Sequence, residues 1–189
     1  MKKANGFMDY LLNSCLLAVI YILFFRKRWK ENPAHSLELN FIMYLYIGLV
    51  LMVTLMPFAT PFGEIRDSIS HTINLIPFRD LSLGYRGAER EILLNVVMMI
   101  PFGFLYPAIK RRGLLITVLM TFLFSLTIET AQLVSNWWGG RIPRLFDVTD
   151  LITNTAGGFL GYLLFLIFGT LFLKVAKVGS GNGGDSIGK

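Results

Sequence analysis

SLTIETAQLVSNWWGGRIPRLFDVTDLITNTAGGFLGY, residues 125–162, is the stretch from which the architecture can be read. Two apolar runs flank a short polar turn, and polar side chains gather at the ends that face each other. Ser125, Glu129 and Gln132 precede the turn; Arg144, Asp147, Asp150 and Asn154 follow it. If both runs cross a membrane, these groups lie near one surface. A carboxylate within hydrocarbon costs several kcal/mol, so Glu129, with arginines in the adjoining turn, is a functional candidate by default.

The rest of the chain supports the membrane reading. Of 189 residues, 54% are hydrophobic and only 16% charged, with mean hydropathy +0.58, whereas soluble domains average roughly 25% charged. The charges sit between long apolar runs rather than alternating with them. The net charge of +6 is concentrated in RKRWK (26–30) and KRR (110–112), each abutting an apolar run. Such clusters are anchors facing anionic lipid, and nucleic-acid binding is not expected. Cys15 is the single cysteine, which excludes an intrachain disulfide and any CxxC metal site.

Five apolar runs are long enough to span a bilayer: residues 8–25, Leu39–Phe58, Glu91–Ile109, Gly113–Val134 and Leu151–Leu173. The first is read as an uncleaved helix, because the apolar stretch before Asn13-Ser14-Cys15 is too short for a signal peptide and the run continues to Phe25. Between the second and third runs, Ile65, Ile69 and Ile73 recur at helical spacing, which predicts an amphipathic helix in the interface. Asn74-Leu75-Ile76-Pro77-Phe78 then reads as a re-entrant or capping loop, since proline does not continue a spanning helix. Pro101 and Gly103 predict a kink in the third span. The expected fold is all-α, an integral membrane bundle of five transmembrane helices with a short amphipathic or re-entrant segment between helices 2 and 3. Residues 1–178 form a single transmembrane domain and the glycine-rich 179–189 a disordered tail.

Five spans place residues 26–30, 110–112, Lys174 and Lys177 on one side. Asn74, Glu91, Asn95, Glu129, Gln132, Arg144, Asp147 and Asp150 fall on the other. The positive-inside rule makes the basic side cytoplasmic, with the N-terminus outside and the C-terminus inside, against the contrary vote of Lys2 and Lys3.

On the fourth span Thr121, Ser125, Glu129 and Gln132 form one helical stripe turned to the bundle interior. Glu129 is expected to pair with Arg144, either as part of a ligand site or as an ion pair that holds two helices in register. On the fifth, Asp150, Asn154, Gly157 and Gly161 share a face, and Gly157 with Gly161 makes a small-xxx-small spacing for close helix approach. One of Asp147 and Asp150 should cap the helix, leaving the other for a ligand. Three carboxylates without a fixed-spacing loop, and only His35 and His71 as histidines, predict neither metal nor cofactor. Phosphate-loop and nucleophile-elbow patterns are absent from the sequence. Trp137 and Trp138 read first as interfacial anchors.

Asn74-Leu75-Ile76-Pro77-Phe78, Asn95 with Ile100-Pro101-Phe102-Gly103, Glu129 to Gln132, and Arg144-x-Phe146-Asp147 followed by Asp150, Asn154, Gly157 and Gly161 together resemble the VanZ-like family of bacterial membrane proteins. The resemblance covers residues 74–162. It implies a protein of the bacterial cell membrane acting at the envelope, with resistance to teicoplanin-type antibiotics in the founding member, and it carries over no catalytic residues. The function expected is binding of an amphiphile, whether membrane lipid, lipid-linked wall precursor or lipoglycopeptide. Its outward polar pocket would be drawn from Asn74, Asn95, Glu129, Gln132, Arg144, Asp147, Asp150 and Asn154. An intramembrane enzyme is the alternative, with Glu129, Asp147 or Asp150 as general base and Arg144 holding a phosphate or carboxylate. A structural or transporter-like subunit is the third reading.

Overall fold

The computed structural model describes residues 34–55, 73–137 and 146–169. Four long helices dominate: α1 (Ala34–Leu55), α3 (Ala88–Lys110), α4 (Leu114–Trp137) and α5 (Val148–Leu164), the last prolonged by a π-helical turn, Phe165–Gly169. All four are long and apolar enough to cross a membrane, and they coincide with the second to fifth runs of the sequence. The first run, Ile65 and Ile69 of the amphipathic segment, Arg144, Trp138 and the tail lie outside the described residues.

The helix ends follow local chemistry. Gly87, at φ 102, turns the chain into α3, a conformation open to glycine at little cost. Arg111 ends α3 at φ 52, with its N–H bonded to the Pro107 carbonyl, and the 111–113 link sends α4 back antiparallel to α3. Helix α3 is continuous through Pro101 and Pro107. Asp147 begins α5, in extended geometry and with its carboxylate on the Thr149 N–H.

Helix α5 packs most extensively on α3 and next on α4, while α3 also touches α1. The α3–α5 contact is made by backbone. A Cβ on Gly157 would run into the Val96 carbonyl, one on Gly161 into the Ile100 carbonyl, and one on Gly103 into the Gly158 carbonyl. Lipid is as apolar as leucine, so helices in it associate through such close approach rather than through hydrophobic exclusion. Helix α1 completes the bundle through Val50, which joins Met99, Phe102 and Ile128 in the apolar core. The Tyr46 hydroxyl donates to the Met98 carbonyl at 2.7 Å, and Phe102 stacks on Phe124 at 5.1 Å. Large apolar side chains such as Val53 and Leu115 point outward, 71% and 81% exposed, the inside-out distribution expected when the solvent is lipid.

The departure from a purely helical fold is small but sits at the site. Ile73–Asn74 (β1) and Phe146–Asp147 (β2) form a two-residue parallel bridge, Ile73 opposite Phe146 and Asn74 opposite Asp147. After β1 the chain turns through Ile76–Phe78 into the short helix α2, Arg79–Ser82. Asn74–Phe78 is therefore not spanning helix. The bridge pairs backbone of the two connecting segments, which no helix takes up.

Candidate functional site

Position on α4 decides which polar groups face inward. Thr117, Thr121 and Ser125 are fully buried and Glu129 is 2% exposed, a stripe repeating every fourth residue. Thr117 and Thr121 donate to the carbonyls one turn earlier, so their hydroxyls are satisfied within the helix. Glu129 comes next along the stripe and accepts the Asp147 backbone N–H on Oε2 at 3.1 Å. Gln132 Nε2 donates to the Thr54 carbonyl at 3.0 Å. Thr54 lies in the last turn of α1, where carbonyls lack intrahelical donors, so Gln132 fastens the end of α1 to α4.

Asp147 joins three segments. Its Oδ1 accepts the Thr149 N–H at 2.7 Å as the N-cap of α5, and its Oδ2 accepts Asn74 Nδ2 at 2.9 Å. The Asn74 Oδ1 in turn accepts the Ile76 N–H at 3.2 Å, the turn-forming bond that asparagine makes with its own backbone. A second tie follows, from the Phe78 N–H to Thr149 Oγ1 at 2.9 Å. Phe78 is at φ 56, which is unfavourable for a side chain of its size, and the bond to Thr149 helps hold it there.

Helices α3 and α5 are joined by Asn95 Nδ2 donating to Asp150 Oδ1 at 2.6 Å, and α5 and α4 by Asn154 Nδ2 donating to Ser125 Oγ at 2.9 Å. The network leaves a cleft between α2, the start of α3 and the start of α5, with Phe78, Asp80, Glu91, Asp147, Thr149 and Asp150 among its walls. The polar lining consists of carboxylates and one hydroxyl, so it attracts hydrogen-bond donors and positive charge. Among the described residues no three His, Cys, Asp or Glu side chains are grouped to hold a metal ion.

Of the residues singled out in the sequence, Asp147 and Asp150 line the cleft. Asn74 positions Asp147, Asn95 positions Asp150, Glu129 holds the Asp147 backbone, and Asn154 lies one turn further inward. Arg144 is outside the described residues. Asp80 and Thr149 are additions from the structure, and Glu91, noted in the sequence for sharing a face with Asn95, joins them. Thr149 lies between the two aspartates in sequence; only its backbone partner Phe78 reveals its role.

Replacing Asn95 by leucine should remove the donor to Asp150 and lower stability by about 1.5–3 kcal/mol, the range for a hydrogen bond to a charged group. Thermal melts in detergent measure it, and an unchanged midpoint would show the contact to be incidental.

The fold and site define a polytopic membrane helix bundle with an acid and amide network at one end. The chain belongs to the VanZ/LLP1 family, whose sequence profile matches residues 41–169. It is 30% identical over 125 residues to Protein VanZ of Enterococcus faecium, an alignment covering 66% of this chain and 71% of that protein. No solved structure matches the chain significantly.

Proposed function

We propose that this chain is a multi-pass protein of the bacterial cell membrane that binds the head group of an amphiphile in its extracytoplasmic cleft, and that it contributes to teicoplanin-type resistance at the envelope. The observation that carries the reading is the placement of the cleft. Asp147, Thr149 and Asp150 open at the end of an apolar bundle, while Leu75, Ile76, Leu83 and Tyr85 of the adjoining loop are exposed. A ligand with a donor-rich head and an acyl tail suits a polar cleft beside apolar side chains. Amines and sugar hydroxyls match the described lining, and Arg144 is assigned to an anionic group on the same ligand. Binding is favoured over catalysis because the side chains lining the cleft make up no complete nucleophile–base or metal-centred constellation among the described residues.

The reading includes five spans with the N-terminus outside, the C-terminus cytoplasmic, and the segment before α3 dipping onto the outer surface. Single cysteines placed at 135–145 in a Cys15→Ser background should react with an impermeant reagent added to intact cells. Protection there, with labelling at 30–36, reverses the orientation. For binding, protein in nanodiscs is offered a photoreactive lipid-linked wall precursor, teicoplanin or a membrane glycolipid. Capture should fall about tenfold in Asp150→Asn if a charged hydrogen bond worth roughly 1.4 kcal/mol is lost. Equal capture by wild type and variant rejects the cleft as the site, and mass analysis of the recovered ligand shows whether it has been altered.

A further inference from the structure

The Asn154–Ser125 pair is incomplete on both sides. Asn154 is 2% exposed and Ser125 fully buried. Their one mutual bond uses the amide nitrogen as donor and the serine oxygen as acceptor. Asn154 Oδ1 has no hydrogen-bond partner, and among the described residues the Ser125 hydroxyl donates to nothing. The neighbouring hydroxyls differ, since Thr117, Thr121 and Thr153 each donate to the carbonyl one turn earlier. Turning the Asn154 amide end for end does not resolve the deficit. The oxygen would then take the serine proton, and the nitrogen would be left without an acceptor. The second Asn154 N–H also has no acceptor among the described residues. Buried polar groups are almost always paired, so an unmet acceptor, Asn154 Oδ1, beside unmet donors on both side chains describes what fits there.

We propose that Ser125 and Asn154 hold an ordered water between α4 and α5, one helical turn inward from Glu129 and Asp150. The water accepts from the Ser125 hydroxyl and donates to Asn154 Oδ1. A second hydrogen remains, and the polar layer next to it is that of Glu129 and Asp150. A metal cation would satisfy the asparagine oxygen but leave the serine proton unplaced, so the amphoteric molecule is the better match. The inner side is closed by Thr121, which lies so close to Gly158 that a Cβ there would overlap its side chain. The assignment rests on the two side chains themselves and is independent of any ligand in the cleft.

The test is magnetisation transfer from water to the Asn154 side-chain amide in isotope-labelled full-length protein in nanodiscs. The signal is assigned by its loss in Asn154→Thr or, if that variant does not fold, by its shift in Ser125→Ala. A rotating-frame cross-peak from water with the sign of dipolar contact, opposite to that of chemical exchange, is expected in the wild type. Its absence overturns the proposal. Melting midpoints in sodium, potassium and choline chloride supply the second measurement. They should coincide; a rise specific to one metal cation that Ser125→Ala abolishes would put an ion in place of the water and also overturn it.

Discussion

Gly157→Ala and Gly161→Ala are each expected to destabilise the bundle severely. In both cases the added methyl meets a carbonyl of α3, at Val96 and Ile100, which is backbone and not the movable end of a side chain. Helix α3 has to withdraw from α5 along their shared face, and the core contacts of Met99 and Phe102 loosen with it. Overpacking costs about 1–3 kcal/mol and occasionally more; a clash with backbone belongs at the upper end, about 3 kcal/mol, a fall of roughly 6–12 °C in midpoint for a chain of this size. Gly48→Ala is the internal control. Nothing lies within 4 Å of the place its methyl would take, so the helix preference for alanine should leave stability unchanged or raise it by up to about 1 kcal/mol. Thermal unfolding of the three variants in one detergent decides the matter, and equal midpoints would mean that α3 and α5 do not touch as described.

The second large effect is expected at Asp147. Alanine there removes the α5 cap, worth about 1 kcal/mol, and leaves Asn74, 6% exposed, with a buried donor unpaired at a cost of about 1–3 kcal/mol. Asparagine is the more informative change. The native carboxylate serves Thr149 with one oxygen and Asn74 with the other, whereas an amide has a single oxygen and would set its own N–H groups against a donor. Asp147→Asn should therefore fall between wild type and Asp147→Ala in stability. Proteolysis in the 75–87 loop should accelerate in the same order. Wild-type behaviour of the asparagine variant would show that one of the two bonds is dispensable.

Both effects depend on features that differ in how far they can be read from sequence. The four described spans were legible because lipid imposes length and apolarity on each helix independently: Gly113–Val134 became Leu114–Trp137, and Glu91–Ile109 became Ala88–Lys110. The glycine spacing of α5 was legible as a packing face, and one aspartate of the pair was expected to cap, which Asp147 does. What could not be read was the choice of partners. Nothing in the order of residues says that Gln132 reaches a backbone carbonyl of α1, or that Asn74 and Asn95 divide the two aspartates between them. Those matches depend on rotation and depth of whole helices. Asp80 carries no signal for a related reason, since a single acid in a four-residue helix has no period to set it apart. The expected Glu129–Arg144 pair lies outside the described residues on its arginine side.

The parallel bridge also dictates an order of events. Asn74 and Asp147 lie 73 residues apart, with α3 and α4 between them, and parallel strands always need such a crossover. A chain emerging from the ribosome has its Asn74 loop long before its partner exists. Contacts so distant in sequence form late, after the entropy of closing the intervening chain has been met. Here the α3–α4 hairpin meets much of that cost by returning the chain to the end of the bundle from which it left. The cleft is consequently assembled late, together with the docking of α5, and a nascent chain halted before residue 146 has helices in the membrane but no site.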